Sequence, residues 1–156
     1  MGLETALFVA AKGTLTPDVL HFLMAYDAMP PDRLKDLMFA GTSSVTVFEM
    51  LDKAGTDVGK STRWILMDRL SRYGVEVKTG ATVLSIGDDE MVWEQDGSEH
   101  AGRFDSVILA SGSVSEQHLA TAMADAGIPH TIVGDGIKPG RLNHAIHGGF
   151  LAGMDL

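Results

Sequence analysis

Stretches with helical spacing and stretches with extended character alternate along this chain, and that alternation restricts the fold more than any single motif. Leu3, Leu7 and Phe8 recur at helical spacing, Ala6, Ala10 and Ala11 favour a helix, and Gly13 can stop it. The run Thr16-Pro17-Asp18 opens a second helix, with Pro at its first position and Val19, Leu20, Leu23 and Met24 on its apolar face. Pro30-Pro31 breaks it, and Leu34, Leu37 and Met38 mark a short third helix stopped by Gly41. This helical hairpin, residues 14–41, reads as an insertion packed against the rest of the domain.

A β-branched run over 44–51 then predicts a strand, 61–73 a helix ended by Gly74, and 75–78 a strand. Residues 82–86, 91–94 and 100–104 read as a β-meander, turned at Gly87-Asp88-Asp89 and at Asp96-Gly97. The unbroken apolar run Ser106-Val107-Ile108-Leu109-Ala110 predicts a buried parallel strand. A helix over 116–126, a strand over 131–133 and a helix over 141–152 complete the chain. This order predicts an α/β fold: a Rossmann-like, doubly wound parallel sheet with an inserted helical hairpin and a β-meander, its first strand missing.

Composition removes several function classes. With a net charge of −9 and scattered Lys and Arg, the chain carries no footprint for nucleic acid. The absence of cysteine excludes a disulfide framework, a thiolate zinc site and a cysteine-bound iron–sulfur cluster on these residues. No apolar run reaches the roughly 18 residues of a membrane span. The expected setting is cytoplasmic, without a membrane partner.

A dinucleotide site is the chemistry that the pattern suggests first. In such a fold the last glycine of G-x-G-x-x-G opens the first helix, whose N-terminus holds the pyrophosphate. Gly2 stands in that position. An acid at the end of the second strand, about 20 residues on, grips the adenosine ribose. Glu49 lies 47 residues after Gly2, and leaving out the 28-residue insertion 14–41 puts it 19 residues on. The alternative for Glu49 is a surface carboxylate that closes a strand.

Ala54-Gly55-Thr56-Asp57-Val58-Gly59-Lys60-Ser61 approximates a phosphate loop. Asp57 would bring a carboxylate against phosphate, and no later strand ends in an acid for magnesium, so Lys60 reads as a solvated charge. Gly134 and Asp135 follow an extended run: the acid could accept a ligand's hydroxyls while the glycine admits close approach, or both could form an ordinary turn. His144 and His147 lack a third ligand at metal spacing, and no metal site or catalytic residue is assigned.

The stretches GLETALFVAAKG, SVTVFEML, DVGKSTRW, SVILASGS and IVGDGIKPGRLNHAIHGGFLAG resemble the C-terminal third of the multidomain NADH:flavin oxidoreductases, the group of 2,4-dienoyl-CoA reductase, 2-enoate reductase and trimethylamine dehydrogenase. The resemblance implies an NAD(P)H-binding domain over 1–113 and a return segment of the FAD-binding domain over 114–156. It implies cofactor contacts at Gly2, Glu49, Gly112, Gly134 and Asp135, the last two against the flavin ribityl chain. NADH, rather than NADPH, and FAD are the cofactors implied here. FMN and an iron–sulfur cluster would belong to an N-terminal barrel domain outside this chain.

The function implied is to position NADH for hydride transfer to FAD in an enoate-reductase-like enzyme. A non-catalytic nucleotide-binding or interaction module is the alternative, and a phosphate-loop NTPase a further one. The expected chain is thus a fragment, inactive alone, that self-associates through the exposed edges of its strands.

Overall fold

The structure is a computed structural model that describes residues 1–155. It divides into two units, Met1–Ala110 and Ser111–Leu156. The first begins with helix α1 (Gly2–Ala10), continues through α2 (Pro17–Ala25) and α3 (Pro31–Leu37), and enters strand β1 (Thr46–Glu49). Helix α4 (Lys60–Arg72) then connects β1 to β2 (Glu76–Thr79), and the two strands pair in parallel with Val47 opposite Val77. This is the crossover that a parallel pair requires.

The end of α4 shows how sequence and packing cooperate. Gly74 takes φ +68°, a conformation that costs an L-residue about 1–2 kcal/mol. The N–H of Val75 then donates to the carbonyl of Leu70 at 2.9 Å, and that of Gly74 to Ser71 at 3.1 Å. Two helix-end carbonyls are satisfied, and Leu70 and Val75 are drawn into one core with Ala6, Leu7 and Ala10. The small side chains of Ala6 and Ala10 let α1 approach α4 and β1, and Leu70 is 1% exposed at the centre.

The inserted hairpin is tied at its base. Leu15 N–H donates to Leu37 O at 3.5 Å and Thr42 N–H to Lys12 O at 2.9 Å. Thr16 caps α2 by accepting from Val19 N–H, with Pro17 at the first helical position as predicted. The packing expected of the hairpin holds for α3, whose Leu34 is buried. It does not hold for α2, which buries nothing and leaves Val19, Phe22, Met24 and Tyr26 exposed. Its apolar residues have helical spacing but no facing element to cover them.

The meander forms as an antiparallel sheet of β3 (Thr82–Ile86), β4 (Met91–Gln95) and β5 (Ser98–Gly102). Asp96 and Gly97 both take positive φ, the conformation of a two-residue hairpin turn. Trp93 packs edge-on to Phe48 of β1, with ring centroids 4.9 Å apart, beside the buried Ala81 and Met91. That contact joins the antiparallel sheet to the parallel pair.

Two predicted strands do not form. Among the described residues, 106–110 and 131–133 have no ladder partner, and Ile108 and Leu109 are 63% and 75% exposed. A parallel strand exists only where neighbours take its N–H and C=O groups, and the one described neighbour of β1 is β2. The second unit contains α5 (His118–Asp125), a 3₁₀ turn at Gly134–Gly136 and α6 (Leu142–Met154). Gln117 Nε2 donates to Gly136 O at 2.7 Å, and Gly134 rests on Ala145 of α6, where a Cβ would stand 3.1 Å from the alanine's own. None of its described residues is buried.

Leu70 and Gly74 test this account separately. In the complete protein carrying these residues, Leu70→Ala should cost about 2–5 kcal/mol of unfolding free energy. Gly74→Ala, which meets no neighbour within 4 Å, should cost only the conformational 1–2 kcal/mol or so. Urea unfolding measures both, and equal losses would contradict the division.

Candidate functional site

Three features bear on a site around the loop that follows β1. Helix α1 opens at Gly2, and its first N–H groups have no acceptor within the helix: the first such bond runs from Thr5 N–H to Met1 O. Free amides and the helix dipole together suit an anion. A Cβ on Gly2 would stand 3.1 Å from that of Ala110, so the glycine permits close packing of α1 on the end of residues 106–110.

Glu49 is the last residue of β1 and is half-buried. Its Oε1 accepts the N–H of Leu51 at 3.1 Å, which fixes the carboxylate against the following loop and leaves Oε2 outside that bond. The loop, residues 50–59, turns back at Gly55 with φ +69°. A Cβ at Gly55 would lie 2.9 Å from Leu3 Cδ1, so the loop touches the first turn of α1. Leu3, the neighbour of Gly2, thus meets the loop that follows Glu49 at Gly55.

From the other side, Arg63 in α4 reaches the same loop. Its Nε and Nη2 donate to the carbonyl of Ala54 at 2.9 and 2.8 Å. The phosphate-loop-like stretch is therefore held from behind by a cation and closed on itself by Val58 N–H donating to Gly55 O at 3.2 Å. Ala54 and Gly55 are buried, so at its first half the loop is filled with its own packing. Sequence spacing singled out Gly2 and Glu49 but missed the contact of Leu3 with Gly55. The turn glycine within a strand-to-helix connection was the available signal.

The remaining predicted residues lie in the second unit. Gly112 has φ +93° with open space around it. Asp135 is exposed, and its Oδ1 accepts the N–H of Gly140 at 3.1 Å, closing the turn that precedes α6. Its other oxygen takes no part in that bond. Gly134 has φ +58° and rests against α6, which favours glycine on both counts. No cluster of three metal-ligating side chains occurs among the described residues. The lysine–carboxylate pair on β2, where Lys78 holds the exposed Glu76 below the usual carboxylate range, is remote in character from any such site.

No family model matches the chain. It is 38% identical over 147 residues to a metal reductase of Desulforamulus reducens, covering 94% of this chain and 22% of that protein. It is 27% identical over 110 residues to an NADH oxidase of Thermoanaerobacter brockii, covering 69% of this chain and 17% of the relative. The chain belongs to the NADH:flavin oxidoreductase family. It spans about a fifth of the length of these relatives. Among solved structures, a 2-naphthoyl-CoA reductase in complex with 2-naphthoyl-CoA superposes with a TM-score of 0.64 over 73% of this chain and 18% of its own, at 24% identity, which establishes the shared fold. The α/β architecture inferred from the alternation of elements is thus that of a flavoenzyme's Rossmann-like region.

Gly55 provides the site's structural test. Gly55→Ala adds a Cβ at φ +69° and 2.9 Å from Leu3. The conformational cost alone is about 1–2 kcal/mol. Thermal unfolding should show at least that loss, whereas Gly59→Ala, whose Cβ would meet only Thr62 Oγ1 at 3.5 Å, should show less. A loss in Gly55→Ala no larger than the conformational cost would mean that the contact between loop and α1 contributes nothing.

Proposed function

We propose that residues 1–113 bind NADH and present it to a flavin, and that 114–156 complete the binding site of FAD. The observation that carries this reading is the contact of Leu3 with Gly55, which links the α1 N-terminus, with its unpaired amides and close-packed Gly2, to the loop that follows the half-free Glu49 carboxylate. That arrangement fits a dinucleotide: amides for the pyrophosphate, a fixed carboxylate for the ribose hydroxyls. The name of the T. brockii relative, an NADH oxidase, supports the same nucleotide.

NADH would supply a hydride and the flavin would accept it. The chain's own part is geometric. Gly2 lets α1 pack closely on the end of residues 106–110, and the α1 N-terminus offsets the charge of the diphosphate. Glu49 accepts the ribose hydroxyls through Oε2 while Leu51 N–H holds Oε1. A 2′-phosphate brought to the same place meets the carboxylate's charge, so the site favours NADH over NADPH. In the second unit, Gly112 joins the cofactor-binding set as a turn open to close approach. Gly134 lets a ligand approach the backbone, and Asp135 offers its free oxygen to the flavin's ribityl hydroxyls. The whole enzyme would be a reductase of the dienoyl-CoA or enoate type, with its FMN and iron–sulfur cluster on a separate barrel domain.

Glu49→Gln should narrow the preference for NADH over NADPH, read as the ratio of kcat/KM values in the complete oxidoreductase. An unchanged ratio would remove Glu49 from the nucleotide site. Asp135→Ala should lower the FAD content of the purified protein while FMN content stays unaltered, since a hydrogen bond to a charged group is worth about 1.5–3 kcal/mol. Asp135→Asn, which retains an acceptor for Gly140 N–H, separates loss of the flavin contact from loss of the turn. Full FAD occupancy in both variants on dilution would end the assignment.

A further inference from the structure

Arg63 ties its side chain to the loop behind Glu49. Its Nε and Nη2 both donate to a single backbone oxygen, that of Ala54, at 2.9 and 2.8 Å. The residue is half-buried, and Ala54 is buried, so this fork operates partly out of water. Its Nε stands 3.7 Å from where a Gly55 Cβ would be, and Leu3 Cδ1 of α1 stands on the same point at 2.9 Å. The loop is therefore gripped between α1 and α4 at Gly55. At its start it carries the Glu49 carboxylate through Leu51 N–H.

We infer that Arg63 is a positioning residue that confers NADH selectivity: by forking onto Ala54 O it fixes the loop that aims Glu49, and by that engagement it is withheld from a 2′-phosphate. This rests on the proposed nucleotide site. A cation near the end of the second strand would ordinarily count towards NADPH, because guanidinium pairs well with phosphate. Here the same group is spent on the backbone. Lys53 and Lys60 remain exposed on the loop and at the start of α4, yet neither is drawn to the Ala54 carbonyl. Selectivity thus depends on where Arg63 donates, not on its charge.

That distinction can be measured. Arg63→Ala removes the fork. Arg63→Gln removes the charge but puts an amide Nε2 close to the position of the arginine Nε, so one donor to Ala54 O survives. Dissociation constants for NADH and NADPH are measured by fluorescence titration of the complete protein, together with amide hydrogen exchange over residues 50–59. Arg63→Ala should accelerate exchange in the loop and weaken NADH by about tenfold, a change equivalent to 1.4 kcal/mol. NADPH should weaken much less, so the ratio falls towards one. Arg63→Gln should keep the loop protected and retain most of the NADH preference, which a role for the charge would not allow. A larger loss of NADPH than of NADH would make Arg63 a phosphate ligand and overturn the inference. So would unchanged exchange in Arg63→Ala, or unchanged affinities in a protein whose wild type binds NADH. A wild type that binds neither nucleotide would sink the proposed function itself, and this inference with it.

Discussion

The close approach of α1 to α4 and the parallel pair is the constraint on which the first unit depends. Ala6 and Ala10 present no bulk beyond a methyl group, and Leu7 fills the remaining space against Leu70 and Val75. Five buried residues form a small core, so each carries a large share of the apolar burial. Because the same helix opens at Gly2, the packing that stabilises the unit also sets where its unpaired amides stand. Stability and the candidate site share one element.

The loop after β1 shows how a short connection can be made rigid without regular structure. It has Glu49 tied to Leu51 at one end, a positive-φ glycine pressed on Leu3, and a guanidinium fork on Ala54. Each tie comes from a different element, so the loop reports the relative positions of β1, α1 and α4. This departs from a phosphate cradle, in which the loop amides face outward to a ligand. The resemblance of Ala54-Gly55-Thr56-Asp57-Val58-Gly59-Lys60-Ser61 to such a cradle is one of spacing alone.

The apolar residues of the second unit are distributed differently. Leu142, Ile146 and Phe150 recur every fourth position along α6 and are all exposed, as are Val114 and Leu119. The sequence pattern is that of a core-facing helix, while the described residues of this unit bury none of their own. What holds the unit is local: Gln117 to Gly136, Asp135 to Gly140, and Gly134 against Ala145.

Where local chemistry dictates the outcome, the sequence alone was sufficient. Gly74 and Asp96-Gly97 required positive φ, Thr16-Pro17 started a helix, and the periodicities of α4 and the meander emerged within a residue or two of expectation. The class of fold, and Gly2 and Glu49 as candidates at a helix opening and a strand end, follow from such signals. Only the tertiary structure decided the rest, because it depends on neighbours distant in the chain. The run at 106–110 has every intrinsic preference for a strand, yet a strand is a relation between two segments, and none of the described residues forms a ladder with it. The spacing of α2 marked an apolar face but could not supply an element to cover it. Nor could any spacing reveal that Arg63 turns back nine residues to the Ala54 carbonyl, since its side chain has as many donors for a phosphate as for a peptide oxygen.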